Sequence, residues 1–245
     1  MRRGLLVAAL AGCVATSTFA GTGGQAQPRA DAQVRFESWR QGRPELRGGV
    51  PYSAWRFDGR FRFQMRPGCV ERLEGLGVAA TRLPHPTTAG PDPVVIDGNI
   101  GGVTFQKKRR GAPFVIACAL AERLPAFAAT LRAHGIDRVE VSSAYRREPT
   151  VSYHHLGLAL DLTQFDGPDV ALEVERDWTL RPGAMTCPPS DDSPAADNGT
   201  ALRRLACAFV DSGLFSTVLT PEYGRGHANH FHVDARPDDP WLFVR

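Results

Sequence analysis

The chain has 245 residues, of which 42% are hydrophobic and 22% charged. These values are typical of one globular domain with extensions, and they exclude a disordered, collagenous or coiled-coil protein. The 25 glycines and 19 prolines predict many turns and few long helices. The net charge of +3 falls by two without Arg2 and Arg3, so charge does not support nucleic-acid binding.

The first 20 residues are typical of a secretory signal, because Arg2 and Arg3 precede an uncharged apolar run from Gly4 to Ala20. That run is shorter than the roughly 20 residues that span a bilayer. Two processing routes remain open: cleavage after Ala20, or lipid attachment at Cys13, where Leu10-Ala11-Gly12-Cys13 resembles the lipobox of bacterial lipoproteins. We therefore expect an exported protein of the periplasm or cell envelope, with membrane contact only through a lipid anchor at Cys13.

A Gly/Gln/Pro linker over residues 21–32 precedes a predicted β extension over residues 33–65. Within it, Asp58-Gly59 lies between aromatic runs and predicts a hairpin turn. The interleaved arginines and aromatics of this hairpin would pack on the core or stack on a ligand. Further on, Lys107-Lys108-Arg109-Arg110 is typical of a solvated loop, with an anionic envelope polymer as the alternative reason for its charge.

The remaining pattern predicts one α+β domain over residues 66–236, followed by a tail over 237–245. Apolar residues three or four apart predict a helix from Pro113 to Ala133, bent at Pro125, and a second helix over Leu202–Val210. Strands are predicted at Ile136–Val141 and Leu214–Leu219. The expected architecture is a small, mainly antiparallel sheet flanked by helices, with the β-hairpin extension at its N-terminal side.

Four cysteines follow the predicted signal, an even number in an oxidising compartment, where disulfides form. Four cysteines allow three connectivities. We favour Cys69 with Cys118 and Cys187 with Cys207, the second closing the Pro/Ser/Asp-rich segment that follows Cys187 onto the second helix. A cysteine zinc site is not expected, because the chain has no C-x-x-C motif.

Five of the seven histidines fall in two short segments, Ser152–Leu162 and Gly226–Asp234. Strand alternation in the first segment would turn Leu158, Leu160 and Leu162 to the core and Asp161 to the other face, with His154 able to fold over it. In the second segment the same alternation groups His230, His232 and Asp234. His85 and His134 stand alone and are expected to be incidental surface residues.

If these two strands are neighbours, His154, Asp161 and one histidine of the second segment would converge on a metal ion. Two nitrogens and one oxygen with an open position are typical of catalytic zinc, although non-haem iron uses the same ligand types. A hydrogen-bonded structural His/Asp pair is the simpler explanation for one such segment. Two matching polar faces favour the metal.

The pattern Ser152-x-His154-x-x-Gly157-x-Ala159-x-Asp161, with His227-x-x-His230-x-His232 downstream, resembles the zinc D-alanyl-D-alanine carboxypeptidases and murein endopeptidases. The span from about Cys69 to Asp234 resembles more closely the bacterial extensin-like C-terminal domain family. This resemblance implies zinc ligands at His154, Asp161 and His232, with peptidoglycan or its peptides as partner.

We expect catalytic roles for His230, His227 and Arg146, because the same resemblance matches the two histidines to histidines near the site and the Arg146 segment to one whose arginine binds a substrate carboxylate. His230 would act as general base and acid, His227 would support it or bind the oxyanion, and Arg146 would bind a substrate carboxylate, with Arg147 as its substitute. Many relatives have a glutamate as base, where this chain offers only histidines. The alternative to a zinc peptidase is therefore a non-catalytic wall-binding or structural envelope protein that keeps the fold.

Overall fold

The computed structural model describes residues 68–83, 92–147, 152–181, 187, 197–235 and 243–244. The predicted signal with Cys13, the linker, the 33–65 extension and His85 lie outside the described residues. Within these residues no helix has the length and apolar character needed to cross a membrane.

The strands of the described residues form two sheets. The strands are β1 (Ala80–Arg82), β2 (Pro93–Ile96), β3 (Asn99–Ile100), β4 (Val103–Lys107), β5 (Phe114–Ala117), β6 (Arg138–Ser143), β7 (Ala159–Gly167), β8 (Val170–Glu173), β9 (Thr217–Leu219), β10 (Phe231–Asp234) and β11 (Phe243–Val244). The small sheet has the order β1-β2-β5, and the large one has the order β11-β9-β10-β7-β6-β4-β3 with β8 added beside β7.

The large sheet corrects part of the predicted architecture. The protein is α+β as expected, but the sheet that carries the histidine segments has eight described strands and is mixed. Strand β4 pairs with β6 in parallel, and so does β11 with β9. The β4–β6 pairing is joined by a crossover through β5 and two helices, a non-local connection that local sequence patterns do not reveal.

The core lies between the large sheet and the two longest helices. The described helices are α1 (Cys69–Gly75), α2 (Cys118–Ala121), α3 (Leu124–Ala133), α4 (Val174–Asp177) and α5 (Asn198–Asp211). Helix α3 contacts α5, β3 and β4. The ring centroid of Phe127 lies 4.8 Å from that of Phe209 and 4.9 Å from that of Phe215. Burying such side chains stabilises the fold by about 1.5–3 kcal/mol each, which fixes the inward face of the sheet.

The helix predicted from Pro113 to Ala133 is wrong in its first part. Phe114–Ala117 is strand β5, buried throughout, and pairs antiparallel with β2. A short continuous apolar run fits a buried strand as well as a helix, so periodicity did not separate them. Pro125 does not bend a long helix; it lies in the first turn of α3, where a missing N–H costs nothing.

Both favoured disulfides are confirmed: Cys69 is bonded to Cys118, and Cys187 to Cys207. The first joins α1 to the start of α2, and the second ties residue 187 to helix α5. Each bond closes a chain loop and so restricts the unfolded chain, which stabilises the fold. The predicted helix around Leu202–Val210 and the strand before Leu219 are also confirmed, as α5 and β9.

Candidate metal centre

The two histidine-bearing segments are neighbours in the large sheet, which is the condition on which the predicted convergence depended. Strands β7 and β10 pair antiparallel, and the register places His232 directly opposite Asp161. Leu160, Leu162 and Phe231 are fully buried in the core. Because alternate residues of a strand point to opposite faces, this inward packing directs Asp161 and His232 to the other face.

His154 reaches the same point from a turn rather than from the predicted strand. Strand β7 begins only at Ala159, and residues 153–157 form a turn. Two hydrogen bonds close this turn: the Gly157 N–H donates to the carbonyl of His154, and the Leu156 N–H donates to the carbonyl of Ser152. Gly157 has φ 66°. It therefore provides a left-handed conformation that most side chains resist, at the end of the turn that carries His154.

Three ligand atoms converge at this place. Asp161 Oδ1 lies 3.0 Å from His154 Nε2 and 2.9 Å from His232 Nδ1, and the two nitrogens are 3.2 Å apart. All three side chains are buried. Among the described residues this is the group of histidine, cysteine and acidic side chains arranged to hold a metal ion.

The outer nitrogens of both imidazoles are turned to oxygen acceptors. His154 Nδ1 lies 2.7 Å from the carbonyl oxygen of Ala144, and His232 Nε2 lies 3.4 Å from Asp234 Oδ2. If these nitrogens carry the protons of neutral rings, the inner nitrogens present lone pairs to each other and to the Asp161 carboxylate. Such a cluster of acceptors needs a cation between them, and carboxylate-backed histidines are the usual ligands of metal ions.

The charges of the site agree with this arrangement. Burial lowers the pKa of His154, and Asp161 then acts against that effect. Burial also acts to lower the pKa of His232, but hydrogen bonds to Asp161 and Asp234 outweigh it and raise that pKa to about 9. The carboxyl of Asp161, although buried, has its pKa held well below the ordinary range by His154 and His232. In the metal-free protein a proton on His232 therefore provides the positive charge.

The donor set and its spacing fit a small divalent ion. Ligand atoms about 2.0–2.1 Å from a tetrahedral ion are about 3.3 Å apart, close to the separations seen between these three atoms. Two imidazoles and one carboxylate suit zinc or iron and are less typical of magnesium or calcium, which prefer oxygen ligands. The donor set thus fits zinc or another first-row transition metal.

His230 and His227 lie beside the three converging residues. His230 Nε2 is 3.4 Å from Asp161 Oδ1, while its Nδ1 is 2.8 Å from Asn229 Oδ1. The ring centroid of His227 is 5.1 Å from that of His230 and 5.9 Å from that of His232. Burial lowers the pKa of both, for His227 to about 4, where neighbouring histidines add to the effect. Both rings are therefore neutral near pH 7.

The arginine predicted to bind a carboxylate also lies at the rim of the site. Arg146 Nη1 is 4.0 Å from Asp161 Oδ2, and its side chain is 42% exposed. Its backbone N–H donates a hydrogen bond to the carbonyl of His154. Arg147 is exposed. Ser152 Oγ accepts a hydrogen bond from the N–H of His155, as expected of a residue that caps this turn. His134, which was expected to be an incidental surface residue, is exposed.

Three contributors to the site were missed by sequence reasoning. Asp234 was placed on the correct face but given no role, although it is fully buried behind His232. The Ala144 carbonyl carries no sequence signal. Ser143 lies opposite Asp161 in the register of β6 and β7, and its buried hydroxyl has no hydrogen-bond partner among the described residues. The alternation of Ser143 with the apolar Val141 was the one sequence signal that could have placed its side chain near the site.

Comparison with known proteins relates the chain to a family. The model of the family described as extensin-like protein C-terminus matches residues 68–243, which contain both disulfides and the whole candidate metal centre. No curated protein and no solved structure matches the chain. The matched span covers well over half of the chain. The protein therefore belongs to the extensin-like C-terminus family.

Proposed function

We propose that the protein is an exported zinc-dependent peptidase that hydrolyses peptide bonds in peptidoglycan stem peptides or cross-links. The observation that carries this proposal is the convergence of His154 Nε2, Asp161 Oδ1 and His232 Nδ1, with His230 Nε2 3.4 Å from the Asp161 oxygen. The spacing of these residues along the chain resembles that of zinc carboxypeptidases and murein endopeptidases. A zinc ion held there would supply a water nucleophile at neutral pH and polarise the scissile carbonyl.

His230 is suited to move the proton in this reaction. Its Nδ1–H is directed to the Asn229 side-chain oxygen, so that Nε2 presents a lone pair on the side of Asp161. Burial keeps the ring neutral, so it can accept a proton and later return it to the leaving amine. His227 packs against His230 and Tyr223. We assign it to supporting the His230 ring.

Arg146 is suited to bind the terminal carboxylate of a peptide. Its guanidinium is always charged, offers paired donors to a carboxylate, and is half exposed beside the Asp161 side of the centre. Its backbone N–H donates a hydrogen bond to the carbonyl of His154, so the main chain of Arg146 is held beside the turn that carries this candidate ligand. This placement favours a substrate whose carboxylate lies close to the bond that is cut.

The setting outside the cytoplasm rests on the predicted signal and on the two disulfides. Disulfides persist in oxidising compartments and are rare in the bacterial cytosol. Peptidoglycan lies in that same compartment, so the polymer and the protein would meet there.

The test is digestion of purified peptidoglycan by the zinc-loaded protein, with soluble peptides and new amino groups measured. We expect that a chelator abolishes cleavage and that added zinc restores it. We also expect that His230→Gln reduces cleavage without loss of metal. Protein that binds zinc and sediments with peptidoglycan but releases nothing would instead support a non-catalytic wall-binding protein.

A further inference from the structure

The basic run Lys107–Arg110 is not the uniformly solvated loop that the sequence predicted. Lys108, Arg109 and Arg110 are exposed, but Lys107 is half-buried at the end of strand β4. Parallel pairing places Lys107 opposite Val141 of β6, and Ser143, two residues further on, lies opposite Asp161. The basic run therefore starts beside the candidate metal centre.

The charges near Lys107 belong to that centre. Burial lowers the pKa of Lys107, the Asp161 carboxylate partly offsets this, and the Arg146 guanidinium adds to it. Lys108 Nζ lies 3.4 Å from Glu140 Oε1, whereas Lys107 forms no ion pair within the described part of the chain. The Asp161 carboxylate already interacts with His154 and His232, and a bound divalent ion would neutralise its charge further.

Lys107 also lines a groove. It has a volume of about 480 Å³ and is lined by β2, the turn that follows it, β4 and the loop before β5. Lys107 and Arg110 both line this groove, against a single carboxylate, that of Asp97. Its size lies within the range of about 300–1,000 Å³ that is typical of ligand sites.

We propose that this groove binds a second carboxylate-bearing residue of the peptide, held by Lys107 and Arg110, so that the ligand is an acidic peptide extending from the metal centre along the groove. This inference rests on the proposed peptidase function for its substrate class. Arg146 would bind the carboxylate nearest the metal, and the groove would bind the side chain of an acidic residue further along the same peptide. A carboxylate that meets a partly desolvated ammonium forms a charge-assisted hydrogen bond, stronger than one between neutral groups.

The test uses the full-length, zinc-loaded protein and two synthetic probes: a peptidoglycan stem tetrapeptide with free side carboxylates, and the same peptide with those carboxylates converted to amides. Dissociation constants are measured by fluorescence anisotropy, with mass spectrometry to verify that each peptide is intact. We expect the acidic peptide to bind at least about tenfold more tightly.

The variants are Lys107→Gln and Arg110→Gln, with Lys108→Gln and Arg109→Gln as matched controls from the same run but outside the groove. We expect the first two to lose most of the preference for the acidic peptide at unchanged zinc content, and the controls to keep it. Equal binding of the two peptides by the unsubstituted protein, or equal losses in the control variants, would overturn the proposal. Because Arg110 is exposed, its variant tests the groove even if Lys107→Gln fails to fold.

Failure of this inference is distinguishable from failure of the proposed function. Cleavage of peptidoglycan without any preference between the two peptides would reject the groove subsite alone. A clear preference that depends on Lys107 and Arg110, in a protein that cleaves nothing, would reject the peptidase and keep the subsite.

Discussion

Asp234→Asn is expected to weaken metal binding although it removes none of the three candidate ligands. The carboxylate is fully buried, and its Oδ2 lies 3.4 Å from His232 Nε2, on the side of the ring opposite the candidate ligand atom Nδ1. Asp234 pairs with Ala159 of β7 and with Thr217 of β9, so the sheet holds its main chain in place. The amide keeps the size of the side chain and removes its charge.

The size of the effect follows from the role of the lost charge. A carboxylate behind a ligating histidine fixes the orientation of the ring and makes the ligating nitrogen more basic. Removing such a partner typically costs 10–100-fold in metal affinity, about 1.4–2.7 kcal/mol. We expect the zinc dissociation constant of Asp234→Asn to rise within that range.

The assay is competition for zinc with a chromophoric chelator, with circular dichroism to verify the fold. Asp166→Asn is the matched control, because Asp166 lies on strand β7 and pairs with Arg138 at 3.1 Å, away from the metal centre. An unchanged zinc affinity in Asp234→Asn would refute the reasoning. An equal loss in Asp166→Asn would show that any carboxylate-to-amide change weakens binding indirectly.

Three further predictions concern the proton carrier, pH and the packing beneath the site. His230→Gln should retain stoichiometric zinc and reduce peptide turnover by about 100-fold or more, whereas His134→Gln should change neither; loss of metal from the first variant would contradict the assignment. Because the metal-free His232 has its pKa raised to about 9, the stabilising effect of its proton is complete below about 6.5 and lost as pH rises through 9. Zinc must displace that proton, so calorimetry in buffers of different ionisation enthalpy should detect about one proton released per ion at pH 7.5, and no release would refute this charge assignment. Arg203 Nη2 lies 2.8 Å from Glu222 Oε1, and the Arg203 guanidinium stacks 4.4 Å from the Trp178 ring. Glu222→Gln should therefore lower the free energy of unfolding, measured in urea, by roughly 2–3 kcal/mol. A decrease below about 0.5 kcal/mol would contradict this prediction.

More of the candidate site than of the sheet that carries it could be predicted from the sequence. Alternation over Leu158–Leu162 and over Phe231–Val233 separates core from polar positions, and both patterns hold because each strand has one face against buried aromatic residues. Two polar faces of this kind bring Asp161 and His232 together whenever the strands are neighbours. The register, which puts them directly opposite each other, depends on the whole sheet.

The parts that could not be predicted depend on non-local pairing or on backbone conformation. The Phe114–Ala117 run has no period that separates a buried strand from a helix. The parallel pairing of β4 with β6 decides that Lys107 lies near the metal centre, and no local pattern marks it. Gly157 stood in a motif that fits a strand, yet its positive φ ends the turn that carries His154.

The central claim is that His154, Asp161 and His232 bind one divalent ion, and the most direct measurement is the metal content of the purified protein after exposure to zinc and removal of excess. We expect about one zinc ion per chain in the unsubstituted protein and a small fraction of that in His154→Ala, Asp161→Ala and His232→Ala, each verified as folded. Full zinc occupancy in the Asp161→Ala protein, or no bound zinc in the unsubstituted one, would contradict the account.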